Sequence, residues 1–205
     1  MAEFNSKKNK MRNLFKIKGK DVLFIHLPKT GGTSILSVLK KNSDTKYDHL
    51  VTHKIPSEYS VSVWNDSLSF CVVRHPIDRF ISAWVHHTQR YNGKMFKNFN
   101  ISISELQKMS ADTYFEMSCD LNDKCVNWRP SVEFIRHDRS DKKIDKVLKF
   151  ENLKSNWEGF KKRINVSDGL PMLNKSNYAN IKLNNSLINK IRKFYKEDFY
   201  YFKYT

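Results

Sequence analysis

The stretch Asp21-Val-Leu-Phe-Ile-His-Leu-Pro-Lys-Thr-Gly-Gly-Thr-Ser34 decides the fold. Residues 21–27 are a short apolar run, the pattern of a strand buried on both faces of a parallel sheet. Pro28 interrupts it, two glycines follow, and Ile35 to Lys41 takes up helical spacing. Strand, glycine turn and helix open an α/β nucleotide-binding unit. Adjacent glycines let the backbone turn tightly and bring its N–H groups close to a ligand. The helix start adds unpaired donors and the positive end of a dipole, a ready anion site. Lys29 contributes a point charge and Thr30, Thr33 and Ser34 contribute hydroxyls. With Pro28, Gly31 and Gly32 they form a seven-residue candidate cradle for a phosphate or sulfate.

A second copy of this grammar follows. Leu68 to Arg74 reads as another buried strand, and Pro76 suits the first turn of a helix. Ile77, Phe80, Ile81, Trp84 and Val85 recur with helical period up to about Arg90. Arg74 stands at the strand end and Ser82 eight residues later on the helix. An arginine there forms bidentate, charge-assisted bonds to phosphate, each worth about 1.5–3 kcal/mol. Arg79 has two readings, a phosphate ligand or a member of a surface ion pair.

The nearest common alternative is the triphosphatase loop G-x-x-x-x-G-K-[ST]. Here the lysine precedes the glycines and Gly32 is followed by Thr33. No lysine therefore stands where it would reach a γ-phosphate, which weakens a kinase reading.

Elsewhere, residues 1–20 read as a basic, poorly patterned lead-in. Ser102 and Glu105 have capping-box spacing, Lys146 to Phe150 is a third strand, and a helix is expected from about Leu153 to Arg163. Gly169-Leu-Pro171 marks a turn, and a last amphipathic helix runs from about Ser186 to Tyr195. The expected fold is a single α/β, P-loop-like, three-layer domain over residues 21–205, with a central, mostly parallel sheet flanked by helices.

The chain has 205 residues, 40% of them hydrophobic, including 14 Phe, 9 Tyr and 4 Trp, ample material for one core. Its formal net charge is +16, a field that attracts anionic partners without choosing among them. No apolar run approaches the ~20 residues of a membrane-spanning helix, and no signal peptide is visible. A cytoplasmic location is expected, or the Golgi lumen if a natural N-terminal anchor precedes this chain. Cys71 reads as a buried core thiol, while Cys119 and Cys125 either pair or stay free. No carboxylate or His/Cys cluster calls for a metal.

His26-Leu-Pro-Lys-Thr-Gly-Gly-Thr-Ser34 resembles the 5′-phosphosulfate loop of the carbohydrate sulfotransferases, closest to the heparan sulfate 2-O- and chondroitin sulfotransferase group. Arg74 and Ser82 match the spacing of that family's 3′-phosphate motif. Asn127-Trp-Arg-Pro130, Phe150-Glu-Asn-Leu153, Leu170 to Ser176 and Tyr195 to Tyr204 look like further landmarks in the expected order. The resemblance implies a PAPS (3′-phosphoadenosine 5′-phosphosulfate)-dependent O-sulfotransferase that needs no metal and releases adenosine 3′,5′-bisphosphate. It implies that Lys29 faces the oxygen bridging phosphate and sulfur, and that Lys175 and Ser176 close over the nucleotide.

The family's catalytic histidine lies between the first helix and the second strand, where this chain offers His49 and His53. His53 matches better, although the family's paired histidine is Val51 here. His26 is expected to orient the loop, and Glu151 to serve packing and orientation. Arg90, Trp128 and Arg129 are candidates to stack on or grip a sugar. The basic surplus suits an acidic glycan acceptor; charge alone suggests nucleic acid, but that reading gives no reason for two phosphate sites.

Overall fold

The computed structural model describes residues 13–45, 53–90, 96–121, 123, 125–173 and 181–205. Its centre is a four-stranded sheet of β1 (Leu14–Ile17), β2 (Lys20–Ile25), β3 (Leu68–Val73) and β4 (Lys146–Lys149), in that spatial order. β2, β3 and β4 are parallel, with Ile25 opposite Cys71 and Val73 opposite Lys149. The three chains therefore leave the sheet side by side, at the edge where α/β folds bind ligands.

Within the described part of the expected lead-in, residues 13–20, the chain forms a strand, β1, instead of a patternless segment. Leu14 to Ile17 pairs antiparallel with β2, and Phe15 and Ile17 are fully buried. Lys18 (φ 46°) and Gly19 (φ 78°) turn the chain in two left-handed residues, the geometry of a tight hairpin. Their N–H groups donate to the Asp44 carboxylate at 3.0 and 2.9 Å. A four-residue strand flanked by lysines gives too little alternation to stand out in the sequence.

Alternation along the strands builds the layers. Val22, Phe24, Phe70, Val72 and Leu148 pack on one face. They meet Ile35, Leu36 and Leu39 of α1 (Gly32–Asn42) and other apolar residues of that cluster. Leu23, Ile25, Cys71 and Val73 pack on the other face with Trp64 of α2 (Val61–Asp66), Tyr59 and Phe134. Each such apolar side chain, taken from water, stabilises by about 1.5–3 kcal/mol. The three-layer α/β architecture read from the sequence is the one observed.

A third cluster is mostly helical. Phe80, Ile81 and Val85 of α3 (Pro76–Val85) meet Leu106 of α4 (Ile103–Lys108) and Tyr114 and Phe115 of α5 (Ala111–Asp120). Ser102 and Glu105 form the expected capping box ahead of α4. α6 (Leu153–Phe160) follows β4 after a short 3₁₀ turn and ends before Arg163, earlier than its pattern suggests. Its Trp157 and Phe160 lie in the first cluster, beside α1. α7 (Asn185–Phe194) adds Leu187 and Ile191 to the helical cluster, and α8 (Lys196–Phe202) completes the chain of elements.

Arg79 belongs to this framework. It is buried, pairs with Asp198 at 3.7 Å, and donates to the Ser131 hydroxyl and the Arg129 carbonyl. Asp198 in turn accepts from the N–H groups of Ser131 (2.8 Å) and Val132 (2.9 Å). The ion pair is thus neither at the surface nor a phosphate ligand: it locks α3 to α8.

Candidate functional site

The loop between β2 and α1 is shaped by two left-handed residues, Lys29 (φ 65°) and Gly31 (φ 80°). A Cβ on Gly31 would come within 2.9 Å of the Phe150 ring, and a Cβ on Gly32 would collide with the His26 imidazole. Packing therefore demands both glycines, and at Gly31 the left-handed turn demands one as well. The His26 ring, expected to orient the loop, lies against Gly32 at the first turn of α1.

The hydroxyls divide. Thr30 is buried and its Oγ1 donates to the Leu27 carbonyl at 2.9 Å, so its side chain shapes the loop instead of reaching outward. Pro28, Gly32 and Ser34 are also buried, whereas Lys29 is half-buried and Thr33 exposed. No side chain caps α1 and no carboxylate stands in its first turn. The positive end of an eleven-residue helix is left without a built-in counter-charge, which suits an anion.

Arg74 leaves the adjacent strand and meets this loop. Its Nη1 donates to the Lys29 carbonyl at 3.4 Å, and its guanidinium lies 4.4 Å from the centre of the Phe150 ring. Phe150, just past the third parallel strand end, thus supports both Arg74 and Gly31. Beside it, Glu151 accepts from the His75 N–H at 2.6 Å and from the Tyr204 hydroxyl at 3.2 Å, which fits the orienting part expected of it. Ser82 lies buried in α3, eight residues beyond Arg74.

His53 joins the cluster from the segment before α2. Its Nδ1 lies 2.9 Å from the His26 carbonyl oxygen, and its ring centre is 4.3 Å from that of His26. Burial lowers the His53 pKa; the bond to the His26 carbonyl opposes that shift and the Lys29 charge adds to it. His53 and Lys29 are therefore within electrostatic reach of one another, although they come from different loops.

The sugar-gripping candidates separate. Trp128 is 1% exposed and its Nε1 donates to the Tyr114 hydroxyl at 2.8 Å. It is a core residue, with no face offered to a ligand; an indole in a polar stretch of sequence is drawn inward by its apolar area and this one partner. Arg129 is half-buried, paired with Glu133 at 3.2 Å. It lines a cavity of about 350 Å³ with Ile55, Glu58, Asp123 and Val126. Ile55 is two residues from His53, so the cavity borders the histidine's own segment. His49, Lys175, Ser176 and the side chain of Arg90 lie outside the described residues.

Cys71, Cys119 and Cys125 are free thiols. Among the described residues no group of three or more His, Cys, Asp or Glu side chains could hold a metal ion, and no helix is long and apolar enough to cross a membrane.

His75, His86, His87 and His137 read from the sequence as solvated or acceptor-contacting side chains; the fold buries His87. His87 sits in a π-helical turn, His86–Arg90, that continues α3. It is 3% exposed, with a pKa lowered to about 3, chiefly by burial and further by His86 and Lys29. A histidine doublet at a helix end carries no motif; only the fold brings it toward Lys29.

Two segments suited to anions thus lie at neighbouring parallel strand ends, with an imidazole within electrostatic reach of the lysine. The Sulfotransferase family model matches residues 12–205, and the chain belongs to that family. No curated protein and no solved structure matches the chain.

Proposed function

We propose that the protein transfers the sulfuryl group of PAPS to a hydroxyl of a carbohydrate acceptor by in-line displacement. The observation that carries this reading is the junction of Arg74 and the Lys29 loop at adjacent strand ends. Lys29, Thr33 and the first N–H groups of α1 would hold the 5′-phosphosulfate; Arg74 and Ser82 would hold the 3′-phosphate. PAPS supplies an activated sulfuryl group whose leaving group is a phosphate. Lys29 neutralises the charge that collects on the bridging oxygen as the S–O bond breaks. Membership of the family disfavours the kinase alternative.

His53 is the base. A carbonyl can only accept, so the hydrogen of neutral His53 is on Nδ1, bonded to His26, and Nε2 presents its lone pair. Nε2 takes the acceptor's proton as the oxygen–sulfur bond forms. The depressed pKa keeps the ring in this basic, neutral form at neutral pH.

The acceptor enters from the cavity beside Ile55, where Arg129 faces an acidic group and Glu58 and Asp123 accept from hydroxyls. The net charge of +16 and the likeness to heparan sulfate and chondroitin sulfotransferases support an acidic glycan. His53→Ala is expected to lower kcat for transfer from labelled PAPS to a glycan panel by at least tenfold, in line with the usual 10²–10⁴-fold of general base catalysis. Affinity for adenosine 3′,5′-bisphosphate should stay within about twofold, since His53 touches neither phosphate. An equally active variant would remove His53 from the mechanism.

A further inference from the structure

Two consecutive carbonyls join the loop after β2 to the segment before α2. The first, of His26, accepts from Nδ1 of His53 at 2.9 Å. The second, of Leu27, accepts from the Thr30 hydroxyl at 2.9 Å inside the turn of the loop. Adjacent peptide planes are linked only through the φ and ψ of the residue they share, so pinning one limits the other. The shared residue is Leu27, itself fully buried. On the other side of the His26–Leu27 peptide the His26 ring is held by packing. It stacks on Phe24 with ring centres 5.3 Å apart, lies against Gly32, and meets the His53 ring at 4.3 Å. The carbonyl that His53 bonds is thus fixed from both ends, by a buried ring before it and a buried hydroxyl after it. A threonine in a glycine-rich loop suggests a phosphate ligand, but Thr30 is fully buried and its one hydroxyl hydrogen is committed to Leu27.

We propose that Thr30 is a positioning residue for the base: its hydroxyl, with the His26 ring, aims the His26 carbonyl at His53 and so holds the tautomer whose Nε2 takes the acceptor's proton. The proposal rests on the sulfuryl-transfer reading with His53 as base. It divides the loop by task. Lys29 and Thr33 act on the cofactor, whereas Thr30 acts on proton transfer, and no bond to Thr30 is made or broken. Among the described residues, two groups act on the His53 charge: the His26 carbonyl favours the protonated ring and Lys29 opposes it. The His26 ring is held neutral, its pKa driven well below 6.5 by burial and then by His53. Weakening the carbonyl bond alone must therefore lower the His53 pKa further. Loosening that admits water to His53 would do the reverse, because burial is the largest cause of the present shift.

Thr30→Val keeps the shape of the side chain and removes the hydroxyl; Thr30→Ser keeps the hydroxyl. The rate to follow is single-turnover release of sulfate from PAPS with water as acceptor, as a function of pH. Thr30→Val should lower it about five- to tenfold, the worth of one buried hydrogen bond. The acid limb of the profile should move to lower pH, with affinity for adenosine 3′,5′-bisphosphate nearly unchanged. Thr30→Ser should recover most of the rate and return the limb. Long-range proton–nitrogen NMR reads the same wiring without turnover. His53 should carry its hydrogen on Nδ1 alone in the unmodified protein and as a mixture of tautomers in Thr30→Val. Hydrogen on Nε2 of His53 in the unmodified protein would overturn the proposal, and that test needs no variant to fold. An unchanged rate in Thr30→Val would overturn it too, as would an acid limb moved to higher pH or a loss of bisphosphate affinity as large as the loss of rate. Failure of the underlying reading looks different: the unmodified protein would not bind the bisphosphate, or His53→Ala would stay fully active while the tautomers of His53 still followed Thr30.

Discussion

The parallel strand ends and the helical cluster around Trp128 are held together by different physics. At the strand ends the site is made by backbone: glycines under His26 and Phe150, an uncapped helix start, and an arginine laid on an aromatic ring. In the helical cluster the order is set by side chains, a buried chain of hydrogen bonds from Trp128 through Tyr114 to His87. Backbone sites tolerate no added atom, because packed surroundings cannot move aside cheaply. Side-chain chains tolerate changes of shape and fail when a donor or acceptor loses its partner.

Gly32→Ala should therefore have the largest effect. The new methyl group collides with the His26 ring, and either the ring or the start of α1 must shift. Overpacking of this kind costs about 1–3 kcal/mol, and bisphosphate binding should be lost because the cradle itself is displaced. Adding His26→Ala should restore stability in part, giving a positive coupling in a double-mutant cycle. Simple additivity would mean that the two groups do not press on each other.

Trp128→Phe tests the other region. It removes the donor to Tyr114 and keeps most of the ring volume, so it should destabilise by about 1 kcal/mol. Bisphosphate affinity should not change. A large loss of binding from this substitution would erase the contrast between the regions.

Acid sensitivity gives a smaller, graded effect. His87 is held neutral when folded, with a pKa of about 3 against an ordinary 6.5. Below pH 6.5 the unfolded chain binds a proton that the folded chain refuses. This contribution is complete above pH 6.5 and is lost as pH falls from 6.5 toward 3. His87→Gln should show a shallower fall of Tm between pH 6.5 and 4 than the unmodified chain. Parallel curves would show that His87 does not resist protonation.

The same contrast explains what the sequence disclosed. Val22 to Ile25, Gly31-Gly32, Arg74 and Pro76 are adjacent in chain to the elements they build, so local pattern sufficed for the parallel strands and the helix starts that follow β2 and β3. β1 escaped because it is four residues long and set among lysines. Trp128 looked like a sugar platform because its partner, Tyr114, is joined to it only by the fold. His87 read as solvated or acceptor-contacting for the same reason, and the buried Arg79–Asp198 pair joins residues more than a hundred positions apart.

The central claim is that Arg74 and the Lys29 loop together hold a nucleotide phosphorylated at both ends. Calorimetric titration with adenosine 3′,5′-bisphosphate, without added metal and beside AMP and ATP, tests it most directly. Micromolar binding of the bisphosphate is expected, with AMP much weaker. Arg74→Ala should cost at least tenfold in affinity for the bisphosphate, the minimum for loss of a charge-assisted pair. Equal affinity for AMP and the bisphosphate, or no effect of Arg74→Ala, would contradict the account and bring the kinase-like alternative forward.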